Sequence, residues 1–539
     1  MTMMEALTLT EKDVAEHFWA QDALHFGHPI TPLFASYMIP AITIGTLRAM
    51  STLHAPIKQF IGKVHDGYFY QAVVPAPGDP QEIVADHQKT LESLMVSQDK
   101  KFQATVTDII LPLYHEIDAM VRQDLTPDSA IAGLKRLQEI YYQLWELHFV
   151  IVLPRGAVAN LLEEIYHQAF PQQDPTTVYT LVLGVMNKSL ETDRALWQLA
   201  QNAKKNSEVV DCFTAPDILS CLKANAQAEV FLHQLDEFLE QYGWRSVHSH
   251  EFSEPTWRED PTHALSVIKS HLDNPFDFDA HLHEVAQTRN IQVQEVVKNI
   301  QDPHLQDQFM RVHSMALNAW GIDEDHHFYI DAMLPAKARP FLLKVGALMK
   351  AQHQLSSPDD IFFIYLDEVF QALEGVLSPE ELMDQVIARR KDYVRQKSIK
   401  PQPSFGTPPT TEHHDPMMTR VFGEGAPSIE GTAKRVRGFS ASPGRYNGRA
   451  RIIHSPNDFV KVRPGEILVC RTTTPAWTAL FGVVGAVVTD TGGILSHAAT
   501  VAREYGIPCV VGTRHATRLF ADGDQLLVDG SEGIVTVDG

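Results

Sequence analysis

Thr489-Asp490-Thr491-Gly492-Gly493-Ile494-Leu495-Ser496-His497-Ala498-Ala499-Thr500-Val501-Ala502-Arg503-Glu504-Tyr505-Gly506-Ile507-Pro508 is the stretch on which the reading of this chain turns. An apolar run ends at Thr489, and two glycines then let the backbone turn tightly and approach another group closely. Ser496 is placed to cap a following helix, which puts His497 in its first turn. Free N–H groups and the positive end of the helix dipole favour an anion there. A histidine in that position is suited to carry a phosphoryl group on a ring nitrogen, with the hydroxyls of Thr489, Thr491 and Ser496 within reach of its oxygens.

Around this segment, short apolar runs alternate with glycine. Arg449–His454, Glu466–Cys470, Gly485–Thr489, Pro508–Gly512, Gln525–Asp529 and Gly533–Val537 are strand candidates, with one helix over Ser496–Tyr505. The pattern predicts a compact α/β domain over 438–539. Residues 1–399 read as mostly helical. Phe231, Leu235, Phe238 and Tyr242 repeat at helical spacing before Gly243, and Leu134–Leu153 is a long apolar helix candidate closed by Pro154. Between them, 400–437 is rich in proline and turn residues and reads as a semi-extended tether. The fold class expected is therefore multidomain, a large helical domain followed by a small α/β domain.

The 539 residues carry 45 Lys+Arg against 67 Asp+Glu, a net charge of −22. Val436–Gly539 accounts for 10 basic and 9 acidic residues, which leaves 35 against 58 elsewhere and supports separate modules. Such an excess of negative charge argues against nucleic acid and anionic membrane as partners. Only Cys212, Cys221, Cys470 and Cys509 are present, with no CxxC pair, so thiols in a reduced, cytoplasmic setting are expected. The start, Met1 to Leu7, has neither a basic nor an apolar signal region, and the longest unbroken apolar stretch is Ala479–Val488, half of a membrane span of about 20 residues.

The 489–512 segment resembles the swivelling phosphohistidine domain of the PEP-utilising enzymes, whose pattern runs roughly T-x-x-G-G-x-x-S-H-x-A-x-x-A-R-E-x-G-I-P-x-V-V-G. Gly492, Gly493, Ser496, His497, Ala499, Ala502, Arg503, Glu504, Gly506, Ile507, Pro508 and Gly512 match it. Ser442-Pro443-Gly444 upstream and Asp522-Gly523-Asp524 downstream match as well. The resemblance implies that His497 is the phosphocarrier and that Thr489, Thr491, Gly492, Gly493, Ser496 and Arg503 stabilise its phosphoryl group. It also implies that the domain moves between two sites.

No glycine-rich nucleotide loop is visible before residue 438, and the sequence closes on the carrier domain. The resemblance then implies a separate ATP-binding (ATP-grasp) subunit that holds ATP and Mg2+. The domain order is similar to that of rifampin phosphotransferase and of phenylphosphate synthase. Phe18–Leu33, Tyr242-Gly243-Trp244-Arg245 and Pro255–Pro261 are similar to the acceptor domains of these enzymes. The implied reaction is transfer to the hydroxyl of a small aromatic acceptor, phenol or 4-cresol. A larger rifamycin-like acceptor, or a phosphocarrier without acceptor chemistry, are the other expectations. Candidates for the acceptor site, chosen as bases, phosphoryl clamps or apolar anchors, are Asp22, His25, His28, Arg245, His248, His250, Trp257, His326 and His327. No resident metal is expected, because no carboxylate stands at ligand spacing from His248 and His250.

Overall fold

The computed structural model describes residues 2–273, 276–408, 434–454 and 456–538. They divide into two units, each assembled from separate stretches. The first comprises Met1–Ala157, His248–Glu254 and Tyr329–Thr411; the second comprises Val158–Val247, Pro255–Phe328 and Glu412–Gly539.

In the first unit, the alternating sequence before and after Asp66-Gly67 forms a hairpin that the helical reading of this half missed. Strands β2 (Ile57–His65) and β3 (Tyr68–Pro75) pair antiparallel. Asp66 (φ 48°) and Gly67 (φ 82°) both take the left-handed conformation that a two-residue hairpin turn requires. β1 (Trp19–Gln21) and β4 (Ser404–Phe405) complete a sheet in the order β2-β3-β1-β4. Trp19, Tyr68, Tyr70 and Ala72 form a buried cluster on it, with Phe405 packed alongside. β4 falls inside the stretch expected as a tether; residues 409–433 of that stretch lie outside the described residues.

Helices supply the rest of this unit. Pro32–Thr52 is long and apolar enough to cross a membrane, with a mean hydropathy of 1.3. Yet 72% of it is buried inside the protein, as in a core helix. Helix Pro127–Ala169 runs through Pro154, where the sequence predicts a stop. Proline removes the donor that would meet the Val150 carbonyl; one residue on, the Gln98 side chain donates to the Ile151 carbonyl at 3.1 Å.

The second unit carries helices Lys188–Ala203, Glu229–Tyr242, Thr262–Asp273 and Phe278–Asn299. Phe231, Leu235, Phe238 and Tyr242 are buried on one face of their helix, as their spacing predicts. Cys212 and Cys221 are not thiols but a disulfide. They end and enter two short helices, Ser207–Cys212 and Ile218–Ala224, whose packing brings their Cα atoms to 5.4 Å.

The α/β part of this unit is one eight-stranded sheet. Its strands are β5 (Arg435–Arg437), β6 (Phe439–Ser442), β7 (Arg445–Ile453), β8 (Ile467–Cys470), β9 (Ala486–Thr489), β10 (Cys509–Val511), β11 (Gln525–Asp529) and β12 (Ile534–Val537). The order is β5-β12-β11-β7-β8-β9-β10-β6. Its centre, β7-β8-β9-β10, is parallel. Fully buried strands of this kind are nearly all apolar, and β8 and β9 expose no residue. Because Cys470 sits opposite Thr489, the loops leaving β8 and β9 emerge side by side.

Candidate functional site

Those two loops build the site. The Thr491 N–H and hydroxyl both donate to the Arg471 carbonyl, each at 3.0 Å, which ties the loop after β9 to the loop after β8. Gly492 lies in the left-handed region at φ 97°, and a Cβ there would meet the Ser496 hydroxyl at 2.8 Å. Only glycine allows the turn to close this tightly. Ser496 occupies the cap position of helix His497–Glu504 but makes no side-chain cap bond, because its hydroxyl is turned toward Gly492. That hydroxyl is buried with no hydrogen-bond partner among the described residues, and so are the hydroxyls of Thr473, Thr474 and Thr500.

His497 stands at the first position of the helix with its side chain 7% exposed. Its Nδ1 lies 3.0 and 3.2 Å from the two carboxylate oxygens of Glu324. Its Nε2 faces the Thr478 hydroxyl at 3.5 Å, and the Phe481 ring lies edge-on at 6.3 Å. Burial pushes the Glu324 carboxyl up in pKa. The charge and hydrogen bond of His497 outweigh it, with help from His327 and from the Ser189 hydroxyl, and bring the carboxyl down to about 2. Ser189 donates to Glu324 at 2.5 Å. An ionised carboxylate on Nδ1 makes that nitrogen the proton carrier and leaves the lone pair on Nε2.

Arg245, in the same unit, feels the charge of Glu324. It is buried, and burial lowers its pKa to about 10 against the opposing pull of Glu324. One terminal nitrogen donates to the Thr192 hydroxyl at 3.0 Å and to the Lys188 carbonyl at 3.2 Å. The Phe328 ring covers the guanidinium at 5.1 Å. Nε and Nη1 have no hydrogen-bond partner among the described residues. A buried guanidinium with donors to spare is a binding group for phosphoryl oxygens.

The residues singled out in the sequence fall into two sets. Arg245, Trp257, His326 and His327 belong to the unit that holds His497. His327 acts on Glu324 through its charge, and His326 bonds the Ile322 carbonyl at 3.0 Å. Trp257 is buried against Phe238 and His263 and is a core residue. Asp22, His25, His28, His248 and His250 belong to the first unit. There Asp22 accepts from the backbone N–H of His25 at 3.0 Å and contacts its Nδ1 at 2.9 Å. The rings of His28 and His248 lie 4.0 Å apart, and burial holds His248 well below the usual histidine range.

Three residues expected to hold the phosphoryl group bond to backbone in this structure. The Thr489 hydroxyl donates to the Thr491 carbonyl at 2.7 Å, and the Thr491 hydroxyl is committed to Arg471. Arg503 is buried and donates to the carbonyls of Ala441 and Ile494, each at 2.8 Å. These groups shape the loop. Glu324, Ser189, Thr192 and Thr478 were missed by sequence reasoning, since nothing in their neighbourhoods marks them. In Ile322-Asp323-Glu324-Asp325 the acids read as ordinary residues of a helix's first turn.

Comparison with known proteins bears on the same two regions. Residues 462–533 match the family described as PEP-utilising enzyme, mobile domain. Residues 148–324 match the rifampicin phosphotransferase fourth domain. The chain is 35% identical over 532 residues to the uncharacterized phosphotransferase YvkC of Bacillus subtilis, covering 98% of this chain and 63% of that protein. It is 30% identical over 549 residues to the chondramide synthase cmdD of Chondromyces crocatus, covering 97% of this chain and 14% of that protein. It is 29% identical over 485 residues to the rifampicin phosphotransferase of Bacillus cereus, covering 85% and 50%. The chain therefore spans less than two thirds of the length of each of these relatives.

Proposed function

From the premise that the chain belongs to the PEP-utilising enzymes, with homologues among the rifampicin phosphotransferases, we propose that it carries a phosphoryl group on His497 and delivers it to an acceptor hydroxyl. The observation that carries this reading is the Nδ1 contact of His497 with the ionised Glu324 at 3.0 Å. In this reading the Nε2 lone pair attacks the β-phosphorus of ATP, forming the P–N bond as the bond from that phosphorus to the AMP oxygen breaks, and the γ-phosphoryl group leaves to water as orthophosphate. With Nδ1–H donating to Glu324, the acceptor oxygen then attacks phosphorus as its proton passes to water, the P–N bond breaks, and its electron pair returns to Nε2. The unpaired donors of Arg245 and the free hydroxyls of Thr473, Thr474 and Ser496 are the groups that would meet the phosphoryl oxygens.

The donor in this proposal is ATP, held with Mg2+ on a separate ATP-grasp subunit, and the carrier domain swings between that subunit and the acceptor. The setting is the cytoplasm, where ATP is available. The acceptor we favour is a small phenol, such as phenol or 4-cresol, on the support of the Phe481 and Phe328 rings beside His497 and Arg245. A second acceptor class, a larger hydroxylated molecule of the rifamycin type, is favoured by the fourth-domain match over residues 148–324.

The test incubates the chain with an ATP-grasp subunit, ATP labelled at the β-phosphate, and phenol, 4-cresol and a rifamycin in parallel. Label is expected on His497 and then on one acceptor. His497→Ala is expected to abolish labelling while the variant still folds, with its unfolding midpoint lowered by the loss of Glu324's partner. An alanine variant that still takes up phosphate overturns the carrier assignment. Label that stays on His497 with every acceptor reduces the protein to a phosphocarrier.

A further inference from the structure

Helix His497–Glu504 has His497 at one end and Glu504-Tyr505 at the other. Its far end is anchored as firmly as its near end. The Tyr505 hydroxyl donates to Asp193 Oδ2, and Asp193 Oδ1 lies 3.0 Å from His271 Nε2. Asp193 and His271 are each 1% exposed and Tyr505 is 7% exposed. The Tyr505 ring is stacked against Phe276 at 5.8 Å and His281 at 5.9 Å. Beside it, the Glu504 carboxylate accepts from the Gly184 N–H at 2.8 Å, and the Glu504 carbonyl is bonded by His281 Nε2 at 2.9 Å. Asp193, His271, Phe276, His281 and Gly184 all belong to the helical stretches of this unit, whereas Tyr505 and Glu504 belong to its α/β stretch.

We infer that Asp193 and Tyr505 are positioning residues, a lock that holds the α/β domain docked with His497 against Glu324. The inference rests on the carrier reading for its purpose. One feature sets the pair apart from ordinary packing: Asp193 has both oxygens occupied, one by each partner, so its geometry is set from two directions. A helix held at both ends cannot pivot about His497, and release of Tyr505 frees the imidazole to leave Glu324. Burial and the neighbouring Asp193 charge keep the Tyr505 hydroxyl protonated as the donor this needs.

The lock is tested in the full chain without any phosphoryl donor, so it can fail while the carrier reading stands, and the reverse. Tyr505→Phe removes one oxygen and keeps the ring. Two quantities are read by mass spectrometry: hydrogen exchange at the Gly184 amide, whose acceptor is Glu504, and the rate at which diethyl pyrocarbonate modifies His497. Both are expected to rise about five- to tenfold, the equivalent of one net hydrogen bond, while exchange at Leu468 and Val487 in the sheet core is unchanged. A gain of His497 reactivity with a quiet core is not what a purely structural tyrosine gives. Wild-type values at Gly184 and His497, or a rise shared equally by Leu468 and Val487, overturn the proposal. Should Tyr505→Phe fail to fold, Asp193→Asn is read in the same way.

Discussion

A guanidinium buried as deeply as Arg245, with Nε and Nη1 unpaired among the described residues, is an expensive arrangement for a protein to keep. Phosphoryl oxygens would relieve it, which is why Arg245 and Glu324 are best understood together. Glu324 holds the proton of His497 at Nδ1 and supplies the negative charge that balances a phosphorylated imidazole. Glu324→Gln keeps the shape and an acceptor oxygen but removes that charge. His497 is then expected to load normally, while single-turnover transfer to the acceptor slows roughly 10²-fold. Equal transfer rates in variant and wild type would falsify this role. His497 itself was legible in the sequence because glycines, serine and histidine stand at fixed offsets in one short stretch. Glu324 was not, because its meaning depends on a contact 173 residues away.

At the scale of elements, most of the α/β domain was legible: five of the six apolar runs named from the sequence contain a strand of the sheet and the sixth, Arg449–His454, overlaps β7, while β5 and β6 lie outside all six. Glycine punctuation and buried apolar runs of four or five residues admit little else. The first unit was harder. Asp66-Gly67 flanked by alternating residues is a strong hairpin signal, yet the surrounding helical periodicity masked it. Pro154 misled in the opposite sense, since a proline inside a helix as long as Pro127–Ala169 does not end it. The hairpin makes its own prediction. Gly67 has φ 82°, and a Cβ there would meet the Gln396 side chain at 2.3 Å. Gly67→Ala is expected to lower the unfolding free energy by about 1–2 kcal/mol in urea titration, and an unchanged midpoint would show that the turn is not strained by a side chain.

Across the whole molecule, buried carboxyls set opposing pH dependences. Glu324 has its pKa depressed to about 2, so its contribution is present above the ordinary value of 4.5 and is lost only as pH falls toward 2. Burial raises Glu504 to about 7 despite the Gly184 N–H and the charges of Arg503 and Arg289. A raised carboxyl favours the folded state below 4.5 and loses that contribution as pH climbs to about 7. Asp325, raised by burial to about 7 although it accepts from the Lys188 N–H, acts in the same direction. Wild-type stability is therefore expected to decline between pH 4.5 and 7, and Glu504→Gln to flatten that decline by on the order of 2 kcal/mol. Parallel curves for the two proteins, measured by chemical denaturation, would count against the assignment.

The stretch His248–Glu254 has a temporal consequence. It belongs to the first unit, where Glu251 accepts from both the N–H and the hydroxyl of Thr31, each at 2.7 Å, across 220 residues of chain. During translation, at roughly 5–20 residues per second, Thr31 leaves the ribosome on the order of 10–40 s before its carboxylate is synthesised. The nascent amino-terminal helices pass that interval without Glu251, so the first unit closes only after the chain has been made through at least residue 254.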